Sequence, residues 1–259
     1  MRIAVAGATG RVGRHVVDVL EARGHDAVPM SRANGVDVIT GAGLAEALTG
    51  ADIIIDVATG PSPDEQAATE FFTTATRNLQ EAGSRAGVRL VVVVSIIHAD
   101  QLAGGYSVAV VAHEQAAQAG PIPVRILRAA QFHEFVEQLM AWGRQGEVAY
   151  VPKMRTQLVA ARTVAEALVD LALAAEAPAG PIPEIAGPRT ENLAAAATLF
   201  AARRGETVKV EEVRNPDDPD AEANENGVLL PSPHATLAGP TFEEWLDQAP
   251  IRRRTNAES

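Results

Sequence analysis

Cysteine is absent from this chain altogether. Disulfides and thiolate chemistry are thereby excluded, while the redox compartment is left open. Aromatic residues make up only 4% of the 259 positions, too few for the stacking platforms that bind single-stranded nucleic acid. Positive charge is scarce too: 22 Lys and Arg face 33 Asp and Glu, a formal net charge of −11. That balance argues against nucleic acid or an anionic membrane as partner, although local arginines suffice to hold one phosphate. No apolar run reaches membrane-spanning length. The first residues already belong to a core strand, which leaves no room for a signal peptide and makes the cytoplasm the expected location. Metal binding has no support: there is no His cluster, and neither Asp64–Glu65 nor the acidic run 215–226 has the glycine and spacing of a calcium loop.

Hydrophobic residues, at 47%, are ample for a core. The length fits one α/β domain with a small appended lobe: a core over about residues 1–145 and a lobe over about 146–250. The organising stretch is MRIAVAGATGRVGRHVVDVL at the start of the chain. Arg2–Ala6 is an apolar run of strand length, and Val12, Val16, Val17 and Leu20 recur at helical spacing. Between them, Gly7, Gly10 and Gly13 punctuate a turn that also holds Thr9, Arg11 and Val12. Gly7 turns the chain, Gly10 admits a pyrophosphate to the backbone, and Gly13 lets the helix pack close to its strand. A helix N-terminus there presents unpaired N–H groups and a positive dipole end to an anion.

Asp26–Met30 reads as the second strand, and its tip selects the cofactor. An NAD site usually places an acid there for the ribose 2′-hydroxyl. This chain has Ser31 and Arg32, with Arg11 close by in the turn, which suits the 2′-phosphate of NADP(H) better than NAD(H). Further strands are expected at 35–40, 51–57, 90–94, 123–127, 148–151, 157–160, 182–185 and 208–213. Helices are expected at 43–48, 65–86, 107–118, from about 134 to 143, at 163–175 with Thr163 as N-cap, and at 192–203 and 241–246. Run 215–226 reads as a solvated or disordered loop and the tail 251–259 as unordered. Strands alternating with helices imply a doubly wound parallel sheet of Rossmann type. Ala58, Thr59 and Gly60 then lie at the carboxyl end of the 51–57 strand, facing the cofactor crevice.

The chain resembles the atypical, extended-type short-chain dehydrogenases/reductases, specifically the NmrA-like NAD(P)H-binding group. GATGRVG (7–13), FFTTATRNLQEAG (71–83), VVVVS (91–95), ILRAAQFHEF (126–135), EIAGP (184–188) and FEEWL (242–246) carry the likeness. The resemblance implies a Rossmann core with a C-terminal substrate lobe, and reductases of quinones and other conjugated carbonyls alongside nucleotide-binding redox sensors. By position it places Gly7, Thr9, Gly10, Arg11, Val12 and Gly13 on the pyrophosphate and Arg32 on the adenosine phosphate. Ala58–Gly60 fall along the ribose, Ser95 and Ile96 near the nicotinamide ribose, and Gln131 and Phe132 near the ring.

Reductases of this superfamily use Tyr-x-x-x-Lys, the lysine lowering the tyrosine's pKa. Here Tyr106 occupies the tyrosine position, Val110 replaces the lysine, and Glu114 keeps the register. Without the cation, Tyr106 is a weak proton shuttle. Ser95 is either the substrate-orienting hydroxyl or a strand-end cap. His98 and His133 read as surface residues, with a proton relay between them left open, and His113 as structural or exposed. Phe132, Phe135, Trp142, Tyr150 and Met154 are the apolar residues suited to line a pocket for a flat, apolar small molecule. No Gly-x-Ser-x-Gly elbow is present. Three readings stand: hydride transfer to a quinone, enone or aromatic polyketide; a non-catalytic NADP(H) sensor; or a redox-neutral isomerase or coupling enzyme. The oligomeric state is left as monomer or homodimer.

Overall fold

The structure, a computed structural model, describes residues 1–248. The chain opens with β1 (Arg2–Ala6), α1 (Gly13–Ala22), β2 (Asp26–Met30), the short α2 (Leu44–Ala47), β3 (Ile53–Asp56), α3 (Glu65–Ala86) and β4 (Leu90–Ile96). It continues through α4 (Tyr106–Gln118), β5 (Val124–Ala129) and α5 (Phe135–Trp142) to the small strands β6 (Arg144–Gln145), β7 (Val148–Pro152) and β8 (Arg155–Thr156). The rest comprises α6 (Ala161–Leu173), β9 (Glu184–Ala186), β10 (Glu191–Asn192), α7 (Leu193–Arg204), β11 (Lys209–Val213), α8 (Ala221–Asn226), β12 (Thr236–Leu237) and α9 (Phe242–Gln248).

Seven strands form one sheet in the order β12-β9-β5-β4-β3-β1-β2, with every pairing parallel. This is the doubly wound Rossmann-type α/β fold. The chain steps from β1 to β2 on one side and to β3 on the other, so a topological switch point lies at the carboxyl ends of β1 and β3. Strands buried on both faces read as continuous apolar runs, as in Ile53–Ile55 and Leu90–Val94. One face packs Val5, Ile55, Val92 and Leu127 against α1 and α6. The other packs Ala6, Ile54, Val91 and Val93 against Leu79, Ala82 and Ala117 of α3 and α4. A separate cluster joins Val136 and Met140 of α5, Ala149 and Val151 of β7, Phe200 of α7, and Phe242 and Leu246 of α9. The chain beyond residue 145 is not confined to that cluster, for α6, β9 and β12 return to the main sheet.

Several expectations give way to tertiary structure. Residues 35–40 form no strand: Gly35 takes φ 78, and Asp37 Oδ1 accepts the amides of Ile39 and Thr40, folding the segment into turns. Asn78 of α3 donates to the carbonyls of Val38 and Ile39, holding those turns beside the sheet. β2 is therefore an edge strand. At 157–160 only a single bridge forms, Val159 with Phe132, and the strand lies earlier, at β8, antiparallel to β10. Thr163 is not an N-cap. It sits buried in the first turn of α6, which begins at Ala161. The acidic run 215–226 ends in α8, and its Asp220 is buried. The tail 251–259 lies outside the described residues.

Helix α3 is the longest, at 22 residues, and its ends carry explicit stop signals. The Asp64 side chain accepts the Ala67 amide at 3.0 Å, and Gly87 closes the far end with φ 82. Asp64→Ala should cost about 1 kcal/mol. A thermal melt should register this as a fall of about 2–4 °C.

Candidate active site

The switch point is built from main chain. Gly7 (φ 78) leaves β1 where a Cβ would come within 2.7 Å of Ala58 Cα, beyond β3. A Cβ on Gly13 would lie 2.0 Å from the Gly7 carbonyl oxygen, so α1 approaches the strand exit at a distance only glycine permits. The amides of Gly7 and Ala8 donate to Met30 O, and that of Gly10 to Gly7 O. The amides of Thr9, Arg11, Val12 and Gly13 have no acceptor among the described residues. No side chain caps α1, and its first turn holds no acid. Four free N–H groups at the positive end of a helix dipole are the kind of donor row that holds an anion.

Beside this turn, β2 ends at Met30, paired with Ala6. Arg32 starts a short 3-10 turn, exposed and without a carboxylate partner among the described residues. The Ser31 hydroxyl donates to Asn34 Oδ1. The nearest acid in sequence, Asp37, accepts the amides of Ile39 and Thr40 through Oδ1.

Across the crevice, Ser95 and Ile96 belong to β4 itself, in register with Arg128 and Ala129 of β5. The Ser95 hydroxyl donates to Glu114 Oε1. Glu114 also receives Arg128 through Nε at 2.9 Å and Nη2 at 2.8 Å, and Arg128 Nη1 reaches Asp100 at 3.1 Å. That bidentate carboxylate, with Asp100 behind it, pushes the guanidinium pKa further up. The sequence signal for this pair was the glutamate in register with Tyr106, whose arginine partner only the fold supplies.

Tyr106, Val110 and Glu114 share one face of α4. Val110 is buried against Ala68, Phe72, Ala99 and Ala109, with Tyr106 and Ile96 packed on the same cluster. Burial pushes the Tyr106 phenol up to about 12. The chain's two lysines, Lys153 and Lys209, pair with Glu225 and Glu211 instead. On the next turn His113 stacks flat on Phe72 (4.7 Å, 9°), and its Nε2 lies 3.3 Å from Asp56 Oδ2. Asp56 Oδ1 in turn accepts the Ala58 amide at 3.0 Å, so this buried pair ties α4 to the strand end that carries Ala58, Thr59 and Gly60. Nothing in the composition of ADIIIDVATG marks Asp56 for that partner.

Beyond β5, Gln131 Oε1 accepts the Thr156 hydroxyl at 2.6 Å, and Phe132 packs on the core beside α1 and α6. Phe135 and Trp142 meet edge to face at 5.9 Å, with Trp142 54% exposed. Met154 packs instead against the lobe cluster, and Tyr150 stands half-buried on β7. The structure thus brings together only Phe135 and Trp142 of the five apolar residues. Glu134, which its sequence neighbours do not single out, accepts the Ala161 amide at the start of α6. Burial raises its pKa, against the nearby charges of Arg14 and Arg11.

His98 and His133 are not surface residues: the first is half-buried and the second fully buried. His98 Nδ1 lies 2.8 Å from Val228 O and its Nε2 3.0 Å from Ser232 Oγ. His133 is fully buried, donates from Nε2 to Pro240 O at 3.1 Å, and packs on Phe242 and Trp245. Their partners lie on different segments, so no relay joins them.

A family model described as NAD(P)H-binding matches residues 7–174. The chain is 34% identical over 110 residues to an L-arabinose 1-dehydrogenase (NAD(P)(+)) of Haloferax volcanii. That match covers 39% of this chain and 43% of the relative, so the chain spans less than half the length of the protein it matches. Among solved structures, MoeE5 in complex with UDP-glucuronic acid and NAD superposes with a TM-score of 0.70 at 18% identity, over 95% of this chain and 97% of that one. The NADPH-dependent quinone oxidoreductase QOR2 of Escherichia coli, complexed with NADPH, gives 0.69 at 19% identity, over 95% and 98%. A short-chain dehydrogenase/reductase superfamily protein of Agrobacterium tumefaciens with bound NAD gives 0.67 at 18%, over 95% of each. At such identities these likenesses speak to the fold.

Burial holds the His133 imidazole near 4 instead of 6.5. The unfolded chain therefore takes up a proton through pH 6.5 that the folded one refuses until about 4. The stability carried by neutral His133 is complete above 6.5 and is lost as pH falls towards 4. Urea unfolding should show a loss of about 2 kcal/mol between pH 7 and 5. His133→Gln should lack that part of the slope.

Proposed function

The chain belongs to the NAD(P)H-binding family, and from that premise we propose that it is an NADPH-dependent reductase of the NmrA-like kind, acting on small, flat conjugated carbonyl compounds such as quinones or enones. The observation that carries this reading is the row of unpartnered amides at Thr9, Arg11, Val12 and Gly13, with a bare helix end behind them. The exposed, uncommitted Arg32 at the tip of β2 supports the 2′-phosphate, and among the described residues the nearest acid in sequence, Asp37, is turned to its own loop's amides through Oδ1. The bound dinucleotide would supply hydride at the nicotinamide ring.

The acid–base groups favour a particular substrate chemistry. Ser95 is committed to Glu114, Val110 stands where a lysine would assist, and burial pushes the Tyr106 phenol up to about 12. Such a phenol stays protonated at neutral pH, so it donates a hydrogen bond to a developing oxyanion but cannot serve as a tyrosinate base. The arrangement suits reduction over alcohol oxidation. It also suits acceptors whose anion is delocalised and takes its proton from water. Arg11 and the turn amides neutralise the diphosphate, while Phe135 and Trp142 offer a partly open aromatic wall to a flat substrate. The same commitment of Ser95 favours a second reading, a nucleotide sensor without turnover.

Mixing protein, NADPH and a panel of quinones and enones should give substrate-dependent loss of the reduced-nicotinamide absorbance. Binding of NADPH with no oxidation by any acceptor would leave the sensor. Loss of substrate without nicotinamide oxidation would instead mark a redox-neutral enzyme. Arg32→Ala should raise KM for NADPH on the order of tenfold with kcat nearly unchanged. Tyr106→Phe should lower kcat by about tenfold, short of the hundredfold or more that a full general acid contributes.

A further inference from the structure

We infer that Asp220 is a positioning residue for Tyr106, clamping from the acidic segment of the lobe the glycine loop that sets where the phenol stands. The inference rests on the role given to Tyr106 above. Asp220 lies in the middle of the acidic run 215–226, between the exposed Asp217 and Glu222, yet only 7% of it is accessible and no cation pairs with it among the described residues. A buried carboxylate without a counter-ion persists only where donors satisfy it. Here the donors are main-chain amides. Ala103 donates to both carboxylate oxygens, at 2.9 and 3.1 Å, and Gly104 to Oδ2 at 3.0 Å.

The next amide, Gly105, donates to Glu65 Oε2 at 2.8 Å from the first turn of α3. Three successive amides are thus held by two carboxylates from different elements, and Tyr106 follows immediately as the first residue of α4. The loop has little stiffness of its own, since Gly105 takes φ 64 and Gly104 has no side chain. Gly104 packs so closely that a Cβ there would meet Pro219 Cγ at 3.1 Å. The same stretch of lobe grips the loop's other end, where His98 bonds Val228 and Ser232. Removing the Asp220 acceptors frees Ala103 and Gly104, three and two residues before Tyr106, and leaves Glu65 alone to hold the loop through Gly105. The α4 contacts that bury Val110 and His113 remain in place.

The test uses the full chain with NADPH and a quinone that it turns over. Asp220→Asn should lower kcat about fivefold with the NADPH Kd unchanged, whereas Asp217→Asn, the same charge change at an exposed neighbour, should leave kcat unchanged. In a Tyr106→Phe background, Asp220→Asn should cost less than a further twofold. An undiminished loss in that background would overturn the inference, because Asp220 would then act by another route. Gly104→Ala, which displaces Pro219 and keeps the carboxylate, should give a smaller loss of the same kind and serves if Asp220→Asn folds poorly. Hydrogen exchange reads the clamp without turnover: Asp220→Asn should speed exchange across 99–106 at least tenfold and leave 65–86 unchanged. Faster exchange in a protein that reduces no acceptor would uphold the clamp and remove the reductase reading. Unchanged exchange would overturn the clamp.

Discussion

The approach of α1 to the exit of β1 is the constraint on which the structure depends. With a Cβ on Gly13 lying 2.0 Å from Gly7 O, no other residue lets the helix begin where it does. Moving the helix away would separate Val16, Val19 and Leu20 from Val5 and Ile55, the centre of one core face. It would also carry the free amides of Thr9, Arg11, Val12 and Gly13 away from the switch point. One contact between backbone atoms thus serves the core and the anion site together, and substitution cannot spare one while harming the other.

Around that point the polar groups at the carboxyl edge of the sheet are mostly paired with one another. Ser95, Glu114, Arg128 and Asp100 form one chain of hydrogen bonds, and Asp56 and His113 form a second pair beneath Ala58. In a low-dielectric setting an unpaired member of either set would cost more than the bond it makes contributes, so each set is retained as a unit. The consequence is chemical. Little acid–base capacity is left free near the crevice, and Tyr106 is enclosed by apolar neighbours that keep it neutral. A site of this kind orients and shields more than it exchanges protons.

Much of the architecture was legible in the chain. β1, β2 and α3 lie within the bounds that periodicity and cap residues indicate, because apolar runs, Asp64 and Gly87 are local signals that tertiary contacts did not override. The glycine turn was legible for the same reason, each glycine answering to a backbone distance. Failures came where a segment's partner is remote. Val36 and Val38 suggested a strand, but Asp37 and Gly35 fold that stretch onto α3. His98 and His133 looked exposed because nothing local marks Val228, Ser232 or Pro240 as their partners.

By itself the sequence determined the parallel Rossmann-type sheet, the glycine turn after β1, the valine at the lysine position and the basic tip of β2, all signals carried by neighbours within a few residues. Only the tertiary structure decided that Ser95 is spent on Glu114, that Asp56 meets His113, and that one carboxylate of an acidic run is buried 117 positions from the amide it holds. The reason is physical. Strand and helix periods and glycine turns follow from short-range sterics, whereas the desolvation of a polar side chain depends on which distant surface closes over it.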